Sequence, residues 1–250
     1  MKIAVCIKRV ADMESRFKIA ASTTAVDEAG LKFDMGDFDG YAVEAALQLN
    51  EKHGGGEVTV VSLGPDIVQE TLRKALSMGA DKGIQLKTDA IPADPYAIAK
   101  ALADALRDGG YDLVLFGKIA LDSANGAVGP MTAELMGIPG ITAVSKLEFA
   151  DGKLKARRDL EGAWETVECP LPAAVTVDEG VGRARYPSLK GIMAAKKKPL
   201  ESRPVQLDAP RLAVKKMELP PERAAGRVVG QGAAAVAELV RLLQVEAKVI

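Results

Sequence analysis

Aromatic side chains are scarce, 4% of 250 residues, which leaves few rings on which the bases of single-stranded nucleic acid could stack. Acidic and basic residues are almost balanced, 34 against 33. The formal net charge of -1 provides no global field to recruit nucleic acid or an acidic membrane surface. No run of 18 apolar residues occurs, which argues against membrane insertion. In the opening MKIAVCIKRV, one lysine precedes only five apolar residues. That is too short for a signal peptide and fits a first β-strand. The two cysteines, Cys6 and Cys169, lie in separate strand-like runs without metal-ligand spacing. They point to a reduced cytoplasmic or organelle interior rather than to a disulfide scaffold. The single histidine, His53, precedes Gly54-Gly55-Gly56 with no paired acid or nucleophile nearby, so it is expected at a helix end or in solvent rather than in catalysis. An early G-x-G-x-x-G is absent, as is G-x-x-x-x-G-K-[ST]; the dinucleotide fingerprint of dehydrogenases is missing, and P-loop phosphoryl transfer is disfavoured.

Hydrophobic residues, at 48%, suffice for a sizeable core in one large domain or one domain with appendages. Lys2–Ile7, Glu57–Leu63, Gly83–Leu86 and Asp112–Phe116 read as strands. Between them Tyr41–Lys52, Ile67–Met78 and Pro92–Arg107 read as helical, with Ala42, Ala45, Ala46 and Leu49 on one face of the first, and Ile98, Leu102 and Leu106 at four-residue steps in the last. Strands alternating with helices predict an α/β fold with an open, mostly parallel, Rossmann-like sheet. Ala20–Phe33 reads as a short polar hairpin or excursion, and Asp34–Gly40 as a loop in which Asp39 or Gly40 caps the next helix. Lys8-Arg9 follows the first strand, at the end where ligands sit in parallel sheets. A solvated turn is the equal alternative.

The most informative stretch is Asp112–Pro130, DLVLFGKIALDSANGAVGP. An apolar strand breaks at Gly117-Lys118 into small and polar residues, Asp122, Ser123, Ala124, Asn125 and Gly126, and the MTAELMG that follows Gly129-Pro130 reads as helix. Strand, small-residue loop and helix together place unsatisfied backbone N–H groups at a positive helix end, which attracts anions. Gly126, Ala127 and Gly129 have little side chain to obstruct a phosphate. An ordinary strand-to-helix turn is the competing reading.

After Gly140 the pattern becomes three strands, Ile141–Phe149, Lys153–Arg158 and Thr166–Glu168, with a hairpin signal at Asp151-Gly152. A buried strand, Ala173–Val177, follows, and Trp164 is expected to pack in a turn. Arg183–Pro199, RARYPSLKGIMAAKKKP, carries Leu189, Ile192 and Met193 on a short helical segment ahead of Lys196-Lys197-Lys198. Exposed apolar residues beside a basic run suit docking onto an acidic partner; alternatively these residues fill the core. Beyond residue 201 the chain is rich in proline and ends in an amphipathic helix, Ala233–Leu243.

At this point the chain resembles the β subunits of electron transfer flavoproteins over essentially its full length. The resemblance rests on AVCIKRVAD (4–12), YAVEAAL (41–47), QETLRKALSMGADKGI (69–84), DLVLFGK (112–118), GPMTAELMGIP (129–139), ARRDLEGAWETVECPLPAAVTV (156–177) and RYPSLKGIMAAKKKP (185–199). It implies an adenine nucleotide hydrolase-like α/β domain, residues 1–200, that includes a recognition loop at 183–199. An arm, residues 201–250, would pack on an α subunit in a heterodimer. The α subunit would hold most of an electron-carrying FAD, while this chain binds AMP without hydrolysing it. Electrons would come from dehydrogenases, typically those of acyl-CoA and fatty acid oxidation, and pass to a quinone oxidoreductase or another acceptor.

Carried over residue by residue, the nucleotide site would use Cys6, the loop Gly36, Asp37, Phe38 and Asp39, Leu63, and the loop of Gly117, Asp122, Ser123, Ala124, Asn125, Gly126, Ala127, Val128 and Gly129. Tyr186, Leu189, Ile192 and Met193 would dock the partner. The chain departs from the family pattern at several places. A second acidic residue is usual at Ala124, glutamine at Ala127 and asparagine at Gly36, and some members place a tyrosine against the flavin at Met13. Members that bind only AMP have threonine where Val128 stands, and valine is frequent there in members with a second FAD. Three readings follow: an electron carrier with structural AMP, a subunit of a bifurcating complex with FAD in this site, and a free-standing nucleotide hydrolase. The last has no visible nucleophile–base pair.

Overall fold

A computed structural model describes residues 1–222 and 225–250. Its centre is a nine-stranded sheet. In chain order the strands of this sheet and the helices between them are β1 (Lys2–Cys6), α1 (Asp37–Lys52), β4 (Glu57–Gly64), α2 (Val68–Met78), β5 (Lys82–Lys87), α3 (Pro95–Arg107), β6 (Leu113–Gly117) and α4 (Val128–Met136). The long strands β7 (Gly140–Ala150), β8 (Lys153–Leu160) and β9 (Ala163–Pro170) come next, then β10 (Ala173–Val177), the short helix α5 (Leu189–Ala195) and β11 (Leu200–Pro204). Two further strands, β2 (Arg9–Ala11) and β3 (Phe33–Met35), form a separate antiparallel pair. A terminal helix α6 (Val236–Leu242) lies beyond them.

The sheet order is β11-β5-β4-β1-β6-β10-β7-β8-β9. Pairing is parallel from β11 through β7 and antiparallel at β8 and β9. This is the α/β fold read from the alternation of strand and helix patterns. Successive residues of a strand point to opposite faces. Thus Ile3 and Val5 join Val43, Leu47, Leu72 and Leu76 of α1 and α2 in one buried core. Ala4 and Cys6 join Leu102, Leu106 and Ala133 of α3 and α4 in the other. The sheet is covered on both sides, as a parallel sheet requires.

Several boundaries differ from the sequence reading. The segment expected to be a loop before α1 is a strand followed by the helix itself, which begins at Asp37. Leu200–Pro204, within the loop-rich tail, is an edge strand paired with β5. The expected strand Thr166–Glu168 runs from Ala163 to Pro170 because it pairs along the whole of β8. Trp164, expected to pack, is 69% exposed on that hairpin. Asp151 and Gly152 both take positive φ, the requirement of the tight two-residue hairpin turn. His53 caps α1, its backbone N–H donating to the Leu49 carbonyl, and its ring lies edge-on to Phe149.

Candidate functional site

β1 lies between β4 and β6, which the chain reaches by winding in opposite directions. At such a switch point the loops leave the carboxyl ends of neighbouring strands on opposite sides, and a crevice opens between them. Here that crevice is an open cleft of about 870 Å³ of empty space, mouth included. Its floor is Cys6, Ile7, Val61, Leu63 and Phe116 from the strand ends; one wall is Ile91–Ala93 with Ile98 and Leu102 of α3. The other wall is the loop after β6 and the start of α4: Gly117–Ala120, Ser123, and Asn125–Gly129.

One carboxylate ties the crevice together. Asp39 is 7% exposed. The backbone N–H of Lys8, just past β1, donates to its Oδ2 at 2.7 Å, and that of Gly117, at the end of β6, donates to its Oδ1 at 3.2 Å. It does not cap α1 as the sequence reading expected: Gly36 is the N-cap, with no side-chain cap. Burial pushes the Asp39 carboxyl up to about 7, against the lowering effect of the two amide hydrogen bonds and Lys8. Burial and the neighbouring Asp39 push the Cys6 thiol up as well, so Cys6 contributes a small apolar surface rather than a nucleophile. A Cβ on Gly117 would lie 2.5 Å from Asp39 Oδ1 and 2.8 Å from Phe38 Cβ. Glycine there lets β6 end against the first turn of α1.

Two lysines line the cleft, and each already has a carboxylate. Lys8 Nζ pairs with Asp122 at 2.7 Å and Lys118 Nζ with Asp178 at 2.6 Å. The loop between them bends through Ala124 and Gly126, both at positive φ. No side chain caps α4, and Ala127, Val128 and Gly129 face the cleft at its N-terminus. The helix starts at Val128, ahead of the expected Met131. Gly129 is small for a reason other than the one expected from the sequence. A Cβ there would lie 2.4 Å from Thr176 Cγ2 and 3.4 Å from the Phe116 ring. The missing side chain makes room for the sheet.

A model of the electron transfer flavoprotein domain matches residues 23–208. The chain is 40% identical to the electron transfer flavoprotein subunit beta of Bacillus subtilis (strain 168), with all of both chains covered. It is 38% identical to the human protein of that name, over 90% of this chain and 91% of the human one. To that of Bradyrhizobium diazoefficiens it is 38% identical with both covered completely. The chain belongs to the electron transfer flavoprotein β-subunit family.

For an electron transfer flavoprotein β subunit, the cleft brings together most of the residues named from the sequence. Cys6, Asp39, Leu63, Gly117, Ser123, Asn125, Gly126, Ala127, Val128 and Gly129 line it. Asp122 acts at its rim through Lys8, and Phe38 lies behind Gly117. Gly36 and Asp37 line a different recess, with Tyr41, Arg183 and Tyr186. Val61, Ile91, Pro92, Ile98 and Leu102 also line it and carry no signal of their own in the sequence. The rule that ligands sit beyond strand carboxyl ends applies to the loop after β5 as much as to that after β6, and would have found Ile91–Ala93. The cleft joins an apolar lining from the strand ends and α3 to a helix start without a side-chain cap and two nearby lysines, a combination that can take an apolar group together with an anion.

On another surface of this β subunit, α5 presents Leu189, Ile192 and Met193 to solvent, Leu189 being 84% exposed, with Tyr186 exposed just ahead of it. They do not fill the core. The approach to α5 is pinned by Arg185, whose guanidinium donates to Glu44 and Glu51 of α1 and whose backbone N–H donates to Glu44. Burial alone would raise the Glu44 carboxyl; the Arg185 and Gln48 hydrogen bonds outweigh it and hold that carboxyl below its ordinary value. Among the described residues, no helix is long and apolar enough to cross a membrane.

Proposed function

We propose that this chain is the β half of an electron-carrying heterodimer, that the cleft beyond β1 and β6 holds AMP, and that α5 docks a donor dehydrogenase of the acyl-CoA type. The observation that carries the nucleotide reading is the cleft itself: an apolar slot running into the uncapped start of α4. The base would lie between Leu63, Phe116 and Ile98, and the phosphate against Gly126–Gly129. Lys8 would bind phosphate by exchanging Asp122 for it; the existing pair is partly exposed, its side chains 26% and 36% accessible, and solvent-exposed pairs are worth only about 0–1 kcal/mol. The FAD held mainly by the α subunit supplies the redox chemistry when bound. This chain's residues bind the nucleotide, fix the loops around it and present the docking edge. The acceptor would be a quinone oxidoreductase or another carrier, and the complex would work in the cytoplasm or the mitochondrial matrix.

The exposed tail supports the heterodimer. None of the residues of α6 is buried, and Leu212, Leu219, Val228, Val245 and Ile250 lie exposed along the arm. Apolar surface in this amount is unusual for a lone soluble chain. We assign residues 1–204, strand β11 included, to the nucleotide-binding domain and residues 205–250 to an arm on the α subunit; residues 223 and 224 of that arm lie outside the described residues. A second reading, FAD in place of AMP, is favoured by Val128 in the cleft wall. Denaturing the purified αβ complex and weighing the released nucleotides decides between them. AMP with one flavin per heterodimer supports the first reading, and two flavins without AMP support the second. Absence of any nucleotide beyond one flavin refutes both.

A further inference from the structure

The docking edge on α5 is held by an exchange of cations between two helices. Arg73 of α2 donates from Nη1 to the carbonyls of Ala195 and Lys198, at 2.6 and 2.8 Å, at the carboxyl end of α5. Lys198 returns the contact, its Nζ donating to the carbonyls of Leu76 and Ala80 at 3.0 and 2.6 Å, at the carboxyl end of α2. Neither helix has a basic residue in its own last turn. Each therefore takes from the other the positive charge that its carboxyl end favours. In the first turn of α5 the backbones of the two helices nearly touch: a Cβ on Gly191 would lie 2.4 Å from the Ser77 carbonyl oxygen. Ala195 is buried in the contact, and the Ser188 hydroxyl caps the start of α5 by accepting from the Gly191 N–H. Lys198 is thus a structural member of the basic run, while Lys196 and Lys197 remain exposed.

We propose that Arg73, Lys198 and Gly191 are positioning residues for partner docking, locking α5 onto α2 so that the dehydrogenase meets a preformed edge. The proposal rests on the reading of α5 as the docking element. A seven-residue helix is too short to be stable in isolation. Without the lock a partner would have to order it on binding, and that cost would be subtracted from affinity. Leu189 and Met193 face outward because the inner face of α5 is occupied by Gly191 and Ala195 against α2.

The test uses the full αβ complex, with an acyl-CoA dehydrogenase reduced by octanoyl-CoA as electron donor. Gly191→Ala, Arg73→Met and Lys198→Met should each raise the KM for the complex, by about tenfold for Gly191→Ala, which corresponds to roughly 1.4 kcal/mol. The kcat should stay near the wild-type value, and Lys198→Arg should restore much of the loss. Amide hydrogen exchange over residues 189–195 should quicken in the three variants, a readout that needs no partner. Leu189→Ala serves as the control: it should raise KM without quickening exchange. Unchanged exchange in Arg73→Met and Lys198→Met overturns the lock. A raised KM in Leu189→Ala, with Gly191→Ala and Arg73→Met at the wild-type KM, overturns the lock but leaves the docking reading standing. An unaffected Leu189→Ala removes the docking reading and this inference with it. If Gly191→Ala fails to fold, the Lys198→Met and Lys198→Arg pair separates the same outcomes.

Discussion

The Asp39 carboxyl joins the ends of two strands whose partner amides, on Lys8 and Gly117, are 109 residues apart in sequence (117 minus 8). Its titration should be visible. A carboxyl whose folded value is raised to about 7, above the ordinary 3.8, binds more protons in the folded state than in the unfolded state between those two values. Its contribution to stability therefore falls as pH rises through that window and is level above it. Asp39→Asn removes the titration, so the stability advantage of wild type over this variant should shrink as pH rises from about 4 toward 7. Thermal melting of both proteins across that range measures it, and a constant difference would contradict the assignment. Leu189 is the opposite case, a large apolar side chain with nothing over it. Leu189→Ala should change stability by no more than about 0.5 kcal/mol, as at other exposed sites. It should weaken partner-dependent flavin reduction about tenfold to a hundredfold, since burying a leucine contributes ~1.5–3 kcal/mol. A lowered melting temperature with normal electron transfer would return Leu189 to a packing role.

At the scale of elements, the cleft depends on how closely α4 starts against the sheet. Gly129→Ala should cost roughly 1–3 kcal/mol, the range for overpacking a filled site. The clash is with one methyl group, Thr176 Cγ2. Thr176→Ser deletes that methyl and keeps the hydroxyl that accepts from the Ala143 N–H. The double variant should therefore recover much of the loss in a denaturant titration, together with nucleotide content. If Thr176→Ser gives no rescue, the crowding lies elsewhere. The start of this helix was legible in the sequence as a strand, a small-residue loop and a helix. The direction in which Gly129 is crowded was not, because Thr176 reaches it from β10, a strand far along the chain that α4 packs against. Likewise Lys196-Lys197-Lys198 read as one solvated charge run. Lys198 became a helix cap only when the fold brought α2 alongside.

For the whole molecule, the unburied α6 and the apolar arm predict that the chain is completed by another subunit. Complex formation should bury more than roughly 2,000 Å² in total, the range of permanent assemblies. Expressed alone, the chain should associate or be easily digested within residues 205–250, as size-exclusion with light scattering and limited proteolysis will show; a stable, protease-resistant monomer would count against this. What the sequence by itself determined is whatever depends on neighbours along the chain. Alternating strand and helix patterns specified the α/β class, Asp151-Gly152 the hairpin, and the glycines and small residues after β6 the loop that enters α4. Tertiary structure decided what depends on residues far apart. β11 needed β5 to become a strand, since Leu200–Pro204 has no strand-like alternation of its own. The carboxylate of Asp39 was free in sequence to cap its helix, but two amides at converging strand ends claimed it. Ile91–Ala93 joined the cleft because parallel pairing brings the carboxyl ends of β4, β1 and β6 to one edge of the sheet, with the loop after β5 folded beside them.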